Sequence, residues 1–509
     1  FREGDIVVLY RQDTHPYQPV LHQPILKGTI KAMRRDTCEV EVKLRTTYVQ
    51  SLDGVWAIEP DLMDVNFLTL YRSLSDFLSA SPTRRDLLLG QIAPQQPKQL
   101  VQMPNDEVFE RLTPLQRELL CRALSAPEYF LLQGPPGTGK TNVMLRSMVH
   151  FLMKYTNETV LLLAFTRRAV NEICSALNDM DYLRLGSLDA LDVSIDPEKS
   201  VDYIAQQYGV KELRNRLNRA RIIVSTVSSC LNTPELLSRK QFDVAIVDEA
   251  SQLLEPHLVG ILSQVRRFIL IGDQNQLPAV VVQPPQQTRV QDARLLQIGV
   301  SDLRVSIFER LWAQCERNNW DWAYGMLEEQ ARMHPRIAEF PSQQFYGGRL
   351  RSLGLAHQQA GNSFLVAHSP CELECELATA QVVFIPSPPS GKRAQRNHEI
   401  EAQRVAKIAE AIYQACQRNG IPFEPERTLG VITPFRAQAA QIYECLPPYL
   451  QNITVDTVER YQGSQREVIL LSLAVSTSRQ MEFLQALNED ESVDRKLNVA
   501  LTRARQLLI

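Results

Sequence analysis

From residue 112 onward, apolar residues fall into short runs that alternate with stretches of helical periodicity. Each run has the length and the Val, Ile and Leu content of a strand buried on both faces. The first series is 129–132, 160–164, 222–224, 244–247 and 267–271, and the second is 382–385, 429–432 and 468–472. Strands that alternate with helices predict an α/β fold with helices on both faces of a parallel sheet. Two such series predict two α/β domains in tandem with a cleft between them.

The region before residue 112 has a different pattern. Residues 1–72 carry short runs rich in Val, Ile and Thr between Pro- and Asp-containing turns, which favours a small β-barrel. Leu74, Phe77 and Leu78 then recur at helical spacing, before a Pro- and Gln-rich break. The predicted organisation is a β-barrel at 1–72, a helical stalk and linker at 73–110, a first α/β domain at 111–296 with a helical insertion at about 178–220, and a second at 297–509.

Composition is that of an ordinary globular protein. The 509 residues are 44% hydrophobic and 22% charged, and no apolar run approaches the roughly 18 residues of a membrane span. No secretory signal is visible at the start, and the nine cysteines are scattered, so free thiols and an intracellular location in the cytoplasm or nucleus are expected. Cys371 and Cys375 are expected to be plain loop residues because zinc needs four ligands. A net charge of −3 does not exclude a local groove for nucleic acid.

One basic helix is predicted, at 211–221. It is interpreted equally well as a strand-binding patch or as a solvated helix face, because charge runs of this kind are common on surfaces.

A glycine-rich loop follows the first apolar run. It consists of Gly134, Pro135, Pro136, Gly137, Thr138, Gly139, Lys140 and Thr141. Glycines let backbone N–H groups curl around phosphates, and the helix that follows adds positive potential at its N-terminus. Lys140 is expected to reach the β- and γ-phosphates and Thr141 to hold Mg²⁺. The loop therefore predicts binding of ATP with Mg²⁺.

Two carboxylates end the apolar run 244–247. Asp248 and Glu249 are expected at the carboxyl edge of the sheet, where doubly wound folds bind ligands. Asp248 can hold the Mg²⁺ shell through water, and Glu249 can orient and deprotonate an attacking water. A lone Asp-Glu pair would be a solvated strand end, but a pair that follows a phosphate loop indicates hydrolysis.

Together with Gln252 and Glu255, this acidic pair resembles motif II of the superfamily 1B helicases. Further motifs of that family follow in the family's order, and the resemblance covers residues 112–505. It implies two tandem RecA-like P-loop domains. Among the family's members, 457–463 is more similar to the flap-processing DNA nuclease-helicase than to the RNA-decay helicase.

The resemblance also implies roles for individual residues. Gln116 is expected to read adenine, Gln276 to sense the γ-phosphate, Arg332 to contact phosphate and Arg503 to act as an arginine finger. The residues that it places along a nucleic-acid strand are Thr166, Arg167, Ser225, Thr226, Pro434, Phe435 and Thr457.

Two positions depart from the family's pattern. Where the RNA-decay helicases carry a tyrosine that stacks on adenine, this chain has Ala331, so discrimination among nucleoside triphosphates is expected to be looser. Where the family places an acid after Gln462 and Gly463, this chain has Gln465, a neutral amide expected to face the γ-phosphate.

The expected function is an ATP-dependent 5′ to 3′ helicase on single-stranded DNA. The polarity follows from the resemblance, because members with a barrel and stalk move in that direction. Two alternatives stay open: an RNA or RNP helicase of the same architecture, and an ATP-switched module that grips nucleic acid without unwinding it. The expected partners are a single strand and a nuclease domain or partner outside this chain, with no membrane.

Overall fold

The computed structural model describes residues 6–11, 26–33, 37–42, 54–60, 66–188, 191–192, 194–281, 283–359, 377–378, 380–388, 396–488 and 490–509. The chain divides into two units, residues 1–71 and 72–509. Within the described ranges, no helix combines the length and the apolar character needed to cross a bilayer.

The first unit contains a four-stranded antiparallel sheet in the order β3-β2-β1-β4. Its strands are β1 (Ile6–Arg11), β2 (Leu26–Met33), β3 (Cys38–Val42) and β4 (Trp56–Pro60). Val7 and Ile30 are its buried apolar side chains among the described residues. β3 and β4 lie at opposite edges, and the described residues contain no pairing that closes the sheet. The strands are present as predicted, while the barrel stays a prediction.

The helices of the expected stalk and linker pack on the first α/β domain from residue 73 onward. They are α1 (Asn66–Ser79), α2 (Pro82–Leu89) and α3 (Glu107–Glu110), followed by α4 (Pro114–Ser125). The Gly260 backbone N–H donates to Ser73 Oγ at 3.0 Å. Arg84 Nη2 donates to the Leu262 carbonyl at 2.6 Å and to the Val265 carbonyl at 3.0 Å. This segment therefore forms part of the wall of the first α/β domain.

The first α/β domain is built on a seven-stranded parallel sheet in the order β11-β5-β10-β9-β6-β8-β7. The strands are β5 (Tyr129–Gln133), β6 (Val160–Ala164), β7 (Leu183–Leu185), β8 (Ile222–Thr226), β9 (Val244–Asp248), β10 (Arg267–Gly272) and β11 (Tyr324–Met326). The helices are α5 (Arg146–Tyr155), α6 (Arg167–Ala176), α7 (Val201–Arg219), α8 (Val227–Leu231), α9 (Pro234–Arg239), α10 (Glu255–Ser263), α11 (Pro285–Thr288), α12 (Ala293–Gln297) and α13 (Ile307–Asn318). β5, β6, β8, β9 and β10 are buried along their whole length, which explains their continuous apolar runs.

Two expected boundaries in this domain need correction. β11 pairs in parallel with β5, so the domain continues past residue 296 to Met326. A three-residue strand that contains glycine gave no apolar run to detect. The expected helical insertion at 178–220 includes β7, which pairs with β8 at the edge of the sheet, and α7, which is interrupted at Gly209 with φ 77° and ψ 172°.

The second α/β domain has a four-stranded parallel sheet in the order β15-β14-β16-β17. A separate parallel pair precedes it, β12 (Glu329–Gln330) with β13 (Arg351–Ser352), and the sheet consists of β14 (Leu429–Ile432), β15 (Thr454–Asp456), β16 (Arg466–Leu471) and β17 (Ala504–Leu508). The helices are α14 (Pro335–Tyr346), α15 (Ala356–Gln359), α16 (Glu399–Arg418), α17 (Arg436–Cys445), α18 (Ser478–Leu484) and α19 (Arg495–Leu501). Short 3₁₀ turns lie at Pro197–Lys199, Ala250–Gln252, Asp321–Ala323 and Pro448–Leu450.

The predicted α/β class with two parallel sheets is confirmed. One predicted strand is wrong: of residues 382–385, only Val382 forms a bridge, with Leu508 of β17. The cysteine pair Cys371 and Cys375 lies outside the described residues.

Candidate active site

The loop between β5 and α5 depends on glycine at two positions. Gly137 and Gly139 have φ of 80° and 81°, the left-handed region that glycine enters without strain. A Cβ at Gly137 would lie 2.6 Å from the Cβ of Arg332. The Ala331 backbone N–H donates to the Gly137 carbonyl at 2.9 Å. Position 137 therefore needs glycine both for its backbone angle and for this contact. Lys140–Leu145 then forms a π-helical turn before α5.

Parallel pairing brings the carboxyl ends of β5, β9 and β10 to the same edge of the sheet. At that edge, Thr141 Oγ1 donates to Asp248 Oδ2 at 2.6 Å. Lys140 Nζ lies 3.2 Å from Glu249 Oε1. Glu249 has a φ of 53°, the left-handed region that non-glycine residues seldom adopt, and this backbone sets the direction of its carboxylate after the strand. The two predicted carboxylates thus have different partners on the loop.

Burial and charge act on these groups in opposite directions. Burial raises the pKa of Asp248 to about 6, and the charge of Glu249 adds to the effect. Burial alone would also raise the pKa of Glu249, but the Lys140 ammonium outweighs it, so that this pKa is lowered. The pKa of Lys140 is raised despite burial because Glu249, Asp273 and Asp248 surround it. Glu249 is therefore the carboxylate that stays ionised beside the loop, as a general base must.

Asp273 is a fully buried carboxylate that connects this edge to the second domain. Its Oδ2 accepts from Gln276 Nε2 and from the Tyr346 hydroxyl, both at 2.7 Å. Its Oδ1 accepts from Gln133 Nε2 at 3.2 Å. Asn498 Nδ2 donates to the Tyr346 oxygen at 2.8 Å. Sequence reasoning gave no role to this network. Asp273 stands beside Gly272 in a motif that could have revealed it, whereas Tyr346 and Asn498 carry no local signal.

Three arginines of the second domain face the loop. Arg503 Nη2 donates to Gln276 Oε1 at 3.2 Å. The Nε of Arg332 has no hydrogen-bond partner among the described residues. Burial lowers the pKa of Arg332 to about 9, with the charges of Arg503 and Arg505 adding to the effect, and burial lowers the pKa of Arg503 to about 10. Arg505 is ion-paired with Glu467. Clustered guanidinium groups, with Arg503 buried and Arg332 and Arg505 half-buried, fit an anion between them.

The loop and these side chains line one cavity of about 300 Å³. Its wall consists of residues 135–142, Glu172, Glu249, Gln276, Ala331, Arg332, Gly463, Gln465, Arg503 and Arg505. Gly134 lies next to the cavity because it begins the loop. Asp248 lies next to it because it accepts the hydrogen bond of the wall residue Thr141. Asn142 and Glu172 are wall residues that the sequence did not point to; Glu172 accepts from Arg168 Nε at 3.1 Å. The glycine loop, one lysine and three arginines fit a triphosphate, and the adjacent oxygens of Thr141 and Asp248 fit Mg²⁺.

Gln116 lies in an adjoining cavity of about 330 Å³ rather than in the phosphate cavity. It belongs to a capping box at the start of α4, where its Oε1 accepts from the Thr113 backbone N–H at 3.1 Å. Its Nε2 donates to the Thr138 carbonyl at 3.4 Å. The adjoining cavity shares Gly137, Thr138, Gly139, Asn142 and Ala331 with the phosphate cavity. A base attached to the phosphates can therefore reach Gln116.

Of the residues expected along a nucleic-acid strand, some have exposed or half-buried side chains and the others are buried. Thr166 and Arg167 are exposed at the start of α6, and Pro434 is half-buried. Thr226 caps α8 by accepting from the Ser229 backbone N–H at 3.0 Å, and Thr457 is 9% exposed. Ser225 is fully buried and Phe435 is 7% exposed. Their side chains face the interior of their domains in this conformation, so strand contact at these two positions stays a prediction.

The basic helix is partly structural. Arg216 pairs with Glu198 at 2.9 Å and with Glu212 at 3.1 Å. Arg221 donates to backbone carbonyls of Leu152 and Met153, among others. The exposed cations that remain are Lys211, Arg214 and Arg219.

Two family models match successive parts of the chain from residue 111 onward. Both are described as an AAA domain, one over residues 303–509 and the other over residues 111–213 and 197–284. The DNA replication ATP-dependent helicase/nuclease JHS1 of Arabidopsis thaliana is 28% identical over 403 residues, which are 77% of this chain and 28% of that protein. The chain belongs to the superfamily 1B helicases. This is a family of ATP-hydrolysing helicases, as the resemblance of the motifs had indicated.

A second superfamily 1B relative covers more of the chain. The Regulator of nonsense transcripts 1 homolog of Neurospora crassa is 26% identical over 549 residues, 94% of this chain and 45% of that protein. The chain thus spans less than half of either relative. A solved structure, the complex of Arterivirus nonstructural protein 10 (helicase) with DNA, matches 77% of this chain and 62% of that chain at 15% identity with a TM-score of 0.38. The family assignment does not depend on that similarity.

Proposed function

We propose that this chain is the motor of a helicase that uses ATP to move 5′ to 3′ along single-stranded DNA and to unwind duplexes. The observation that carries the proposal is the convergence of Lys140 from the first α/β domain with Arg332 and Arg503 from the second on one cavity. A γ-phosphate between them bridges two RecA-like domains, and the bridge is lost when phosphate leaves. Hydrolysis would then change the relation between the two domains once per ATP, as a translocation step requires.

Each wall residue has a chemical task in this proposal. Lys140 and the loop N–H groups bind the β- and γ-phosphates, and Thr141 and Asp248 would hold Mg²⁺, which neutralises phosphate charge when bound. Glu249 orients and deprotonates the attacking water. Gln276 and Arg503, already hydrogen-bonded to each other, contact the γ-phosphate together, with Arg332 as the second cation of the same wall.

The proposed track for the strand crosses the carboxyl edges of both sheets. It would use the hydroxyls of Thr166, Thr226 and Thr457, the cation of Arg167 and the apolar ring of Pro434. Because Phe435 is buried, base stacking at that position would need a local rearrangement, and Ser225 would act through its backbone.

DNA is the favoured substrate because the JHS1 relative is, by its name, a DNA replication helicase/nuclease. The similarity to the regulator of nonsense transcripts supports an RNA helicase as the second candidate. A nuclease domain or partner outside this chain accords with the helicase/nuclease name. The switched assembly module remains the alternative without unwinding.

One assay separates these candidates. ATP hydrolysis is measured with saturating single-stranded DNA, with single-stranded RNA and with no polymer, followed by unwinding of duplexes that carry a 5′ or a 3′ single-stranded tail. Stimulation by DNA and unwinding from the 5′ tail are expected. Stimulation by RNA alone supports the RNA helicase, stimulation without unwinding supports the assembly module, and unwinding from the 3′ tail contradicts the proposed polarity.

A further inference from the structure

The cavity that adjoins the phosphate loop contains a carboxylate with no part in hydrolysis. Glu329 lines it from β12, together with Gln116 and Ala331. Since this cavity shares the glycine loop with the phosphate cavity, a nucleotide bound as proposed above places its base here. The inference below therefore rests on that nucleotide site, although not on movement along DNA.

Glu329 carries an unsatisfied acceptor. Its Oε2 is buried and has no hydrogen-bond partner within the described part of the chain. The next residue, Gln330, is fully buried, and its Oε1 accepts from the backbone N–H groups of Arg332 at 2.8 Å and Met333 at 2.7 Å. Alternation along β12 turns Glu329 to the opposite face, toward the cavity. A buried carboxylate oxygen without a donor is costly, and a ligand that brings N–H groups removes that cost.

Gln116 can contact a purine through both ends of its amide. Its Oε1 accepts from the Thr113 backbone N–H, and the second lone pair of that oxygen can accept from the amino group of adenine. One amide N–H donates to the Thr138 carbonyl, which leaves the second for a base. The ring nitrogen N7 that this N–H can reach is an acceptor in adenine and in guanine alike. Gln116 alone therefore favours adenine slightly, and a preference for guanine has to come from another wall of the cavity.

We propose that Glu329 makes this choice by reading the base edge, so that the site binds GTP at least as tightly as ATP. Guanine presents its N1–H and its N2 amino group side by side, and these two donors match the two oxygens of a carboxylate. Adenine presents one amino group beside N1, an acceptor that a carboxylate repels. Ala331 supplies no aromatic face to hold any base by stacking, so hydrogen bonds decide the preference.

The test is equilibrium binding of ATP, GTP and ITP to the full chain, by competition against a fluorescent nucleoside diphosphate. ITP lacks only the N2 amino group of guanine. Wild type is expected to bind GTP at least as tightly as ATP and about tenfold more tightly than ITP, the loss of one charge-assisted hydrogen bond. Glu329→Gln should remove most of the GTP-over-ITP preference and lower the GTP-to-ATP affinity ratio by about tenfold.

The matched control is Glu328→Gln. The adjacent Glu328 faces Arg349 at 3.8 Å and does not line the cavity, so its substitution should leave all three affinities in their wild-type order. Wild-type preference for ATP over GTP, equal binding of GTP and ITP, or equal effects of the two substitutions would each overturn the proposal. Because binding needs no polymer, failure of DNA-stimulated hydrolysis would count against the helicase function alone. Unchanged base preference in Glu329→Gln would count against Glu329 alone.

Discussion

The two walls of the phosphate cavity differ in how their charges are balanced. On the wall of the first α/β domain, Lys140 faces the Glu249 carboxylate, and Asp248 accepts from Thr141. On the wall of the second, the acceptors of Arg503 among the described residues are all neutral, and the pKa of Arg332 is lowered by burial and by its neighbouring arginines. The first wall pairs its charges without nucleotide, whereas on the second wall Arg505 is ion-paired with Glu467 but Arg332 and Arg503 have no ion pair in the described part of the chain. Nucleotide should therefore order the second wall more than the first.

Removing the charge of the first wall is expected to have the largest effect. Lys140→Ala takes the loop cation from the phosphates and removes the ion-pair partner of Glu249, so polymer-stimulated hydrolysis should be lost while the fold is retained. Hydrolysis is measured by phosphate release and the fold by circular dichroism. Activity above roughly a tenth of wild type would contradict the role of Lys140. Lys98→Ala, an exposed lysine of the linker, is the control and should hydrolyse normally.

The second wall is tested by Arg503→Ala. If Arg503 neutralises charge at the γ-phosphate, turnover should fall by about 10³-fold or more. Nucleotide affinity should change far less, because the first wall remains. Steady-state rates and nucleotide binding are measured together, with Arg427→Ala as the control at an exposed pair with Glu424. A twofold loss would move this role to Arg332 or Arg505.

Gln465 tests whether the second wall also carries the response to the strand. In a cavity already holding Glu249, an acid here would repel phosphate oxygens, whereas an amide can donate to them. Gln465→Ala should weaken stimulation of hydrolysis by single-stranded DNA severalfold and change nucleotide affinity less. The comparison is hydrolysis with and without saturating strand, with the exposed Gln451→Ala as control. Equal stimulation in mutant and wild type would place Gln465 outside the site.

The smallest effect is expected where the two walls are joined by the Asp273 network. Tyr346→Phe removes the hydroxyl that donates to Asp273 and accepts from Asn498, which should cost about 1–3 kcal/mol of unfolding free energy in urea. It should also lower stimulated turnover. Tyr443→Phe is the control, because the Tyr443 hydroxyl also makes one donated and one accepted hydrogen bond, to a backbone carbonyl at 3.2 Å and from a backbone N–H at 3.1 Å, but it does not line the cavity. Equal turnover in the two variants would leave the network a purely structural role.

The sequence was informative where chemistry follows directly from the end of a strand. Lys140, Asp248 and Glu249 could be placed because a parallel sheet brings strand ends to one edge. Tyr346 and Asn498 could not, because only the packing of α14 and α19 against the first domain brings them to Asp273.

The sequence also did not predict which side chains would point into the domain interior or which short segments would pair with a sheet. A motif position places Ser225 and Phe435 near the track, but the packing of each domain decides that both are buried. Residues 382–385 are apolar enough for a strand, yet only Val382 bridges to the sheet. β11 was missed because its three residues are not a recognisable apolar run. It is a strand because it pairs with β5.

The contact between Gly137 and the segment after β12 has a mechanical consequence. A backbone hydrogen bond and a spacing with no room for a Cβ fix these two points of the α/β domains against each other. Any rotation of one domain that preserves this contact has its fulcrum beside the phosphates. A small angular change there becomes a larger displacement with distance from the fulcrum, so the domains act as levers whose long arms end at the proposed track.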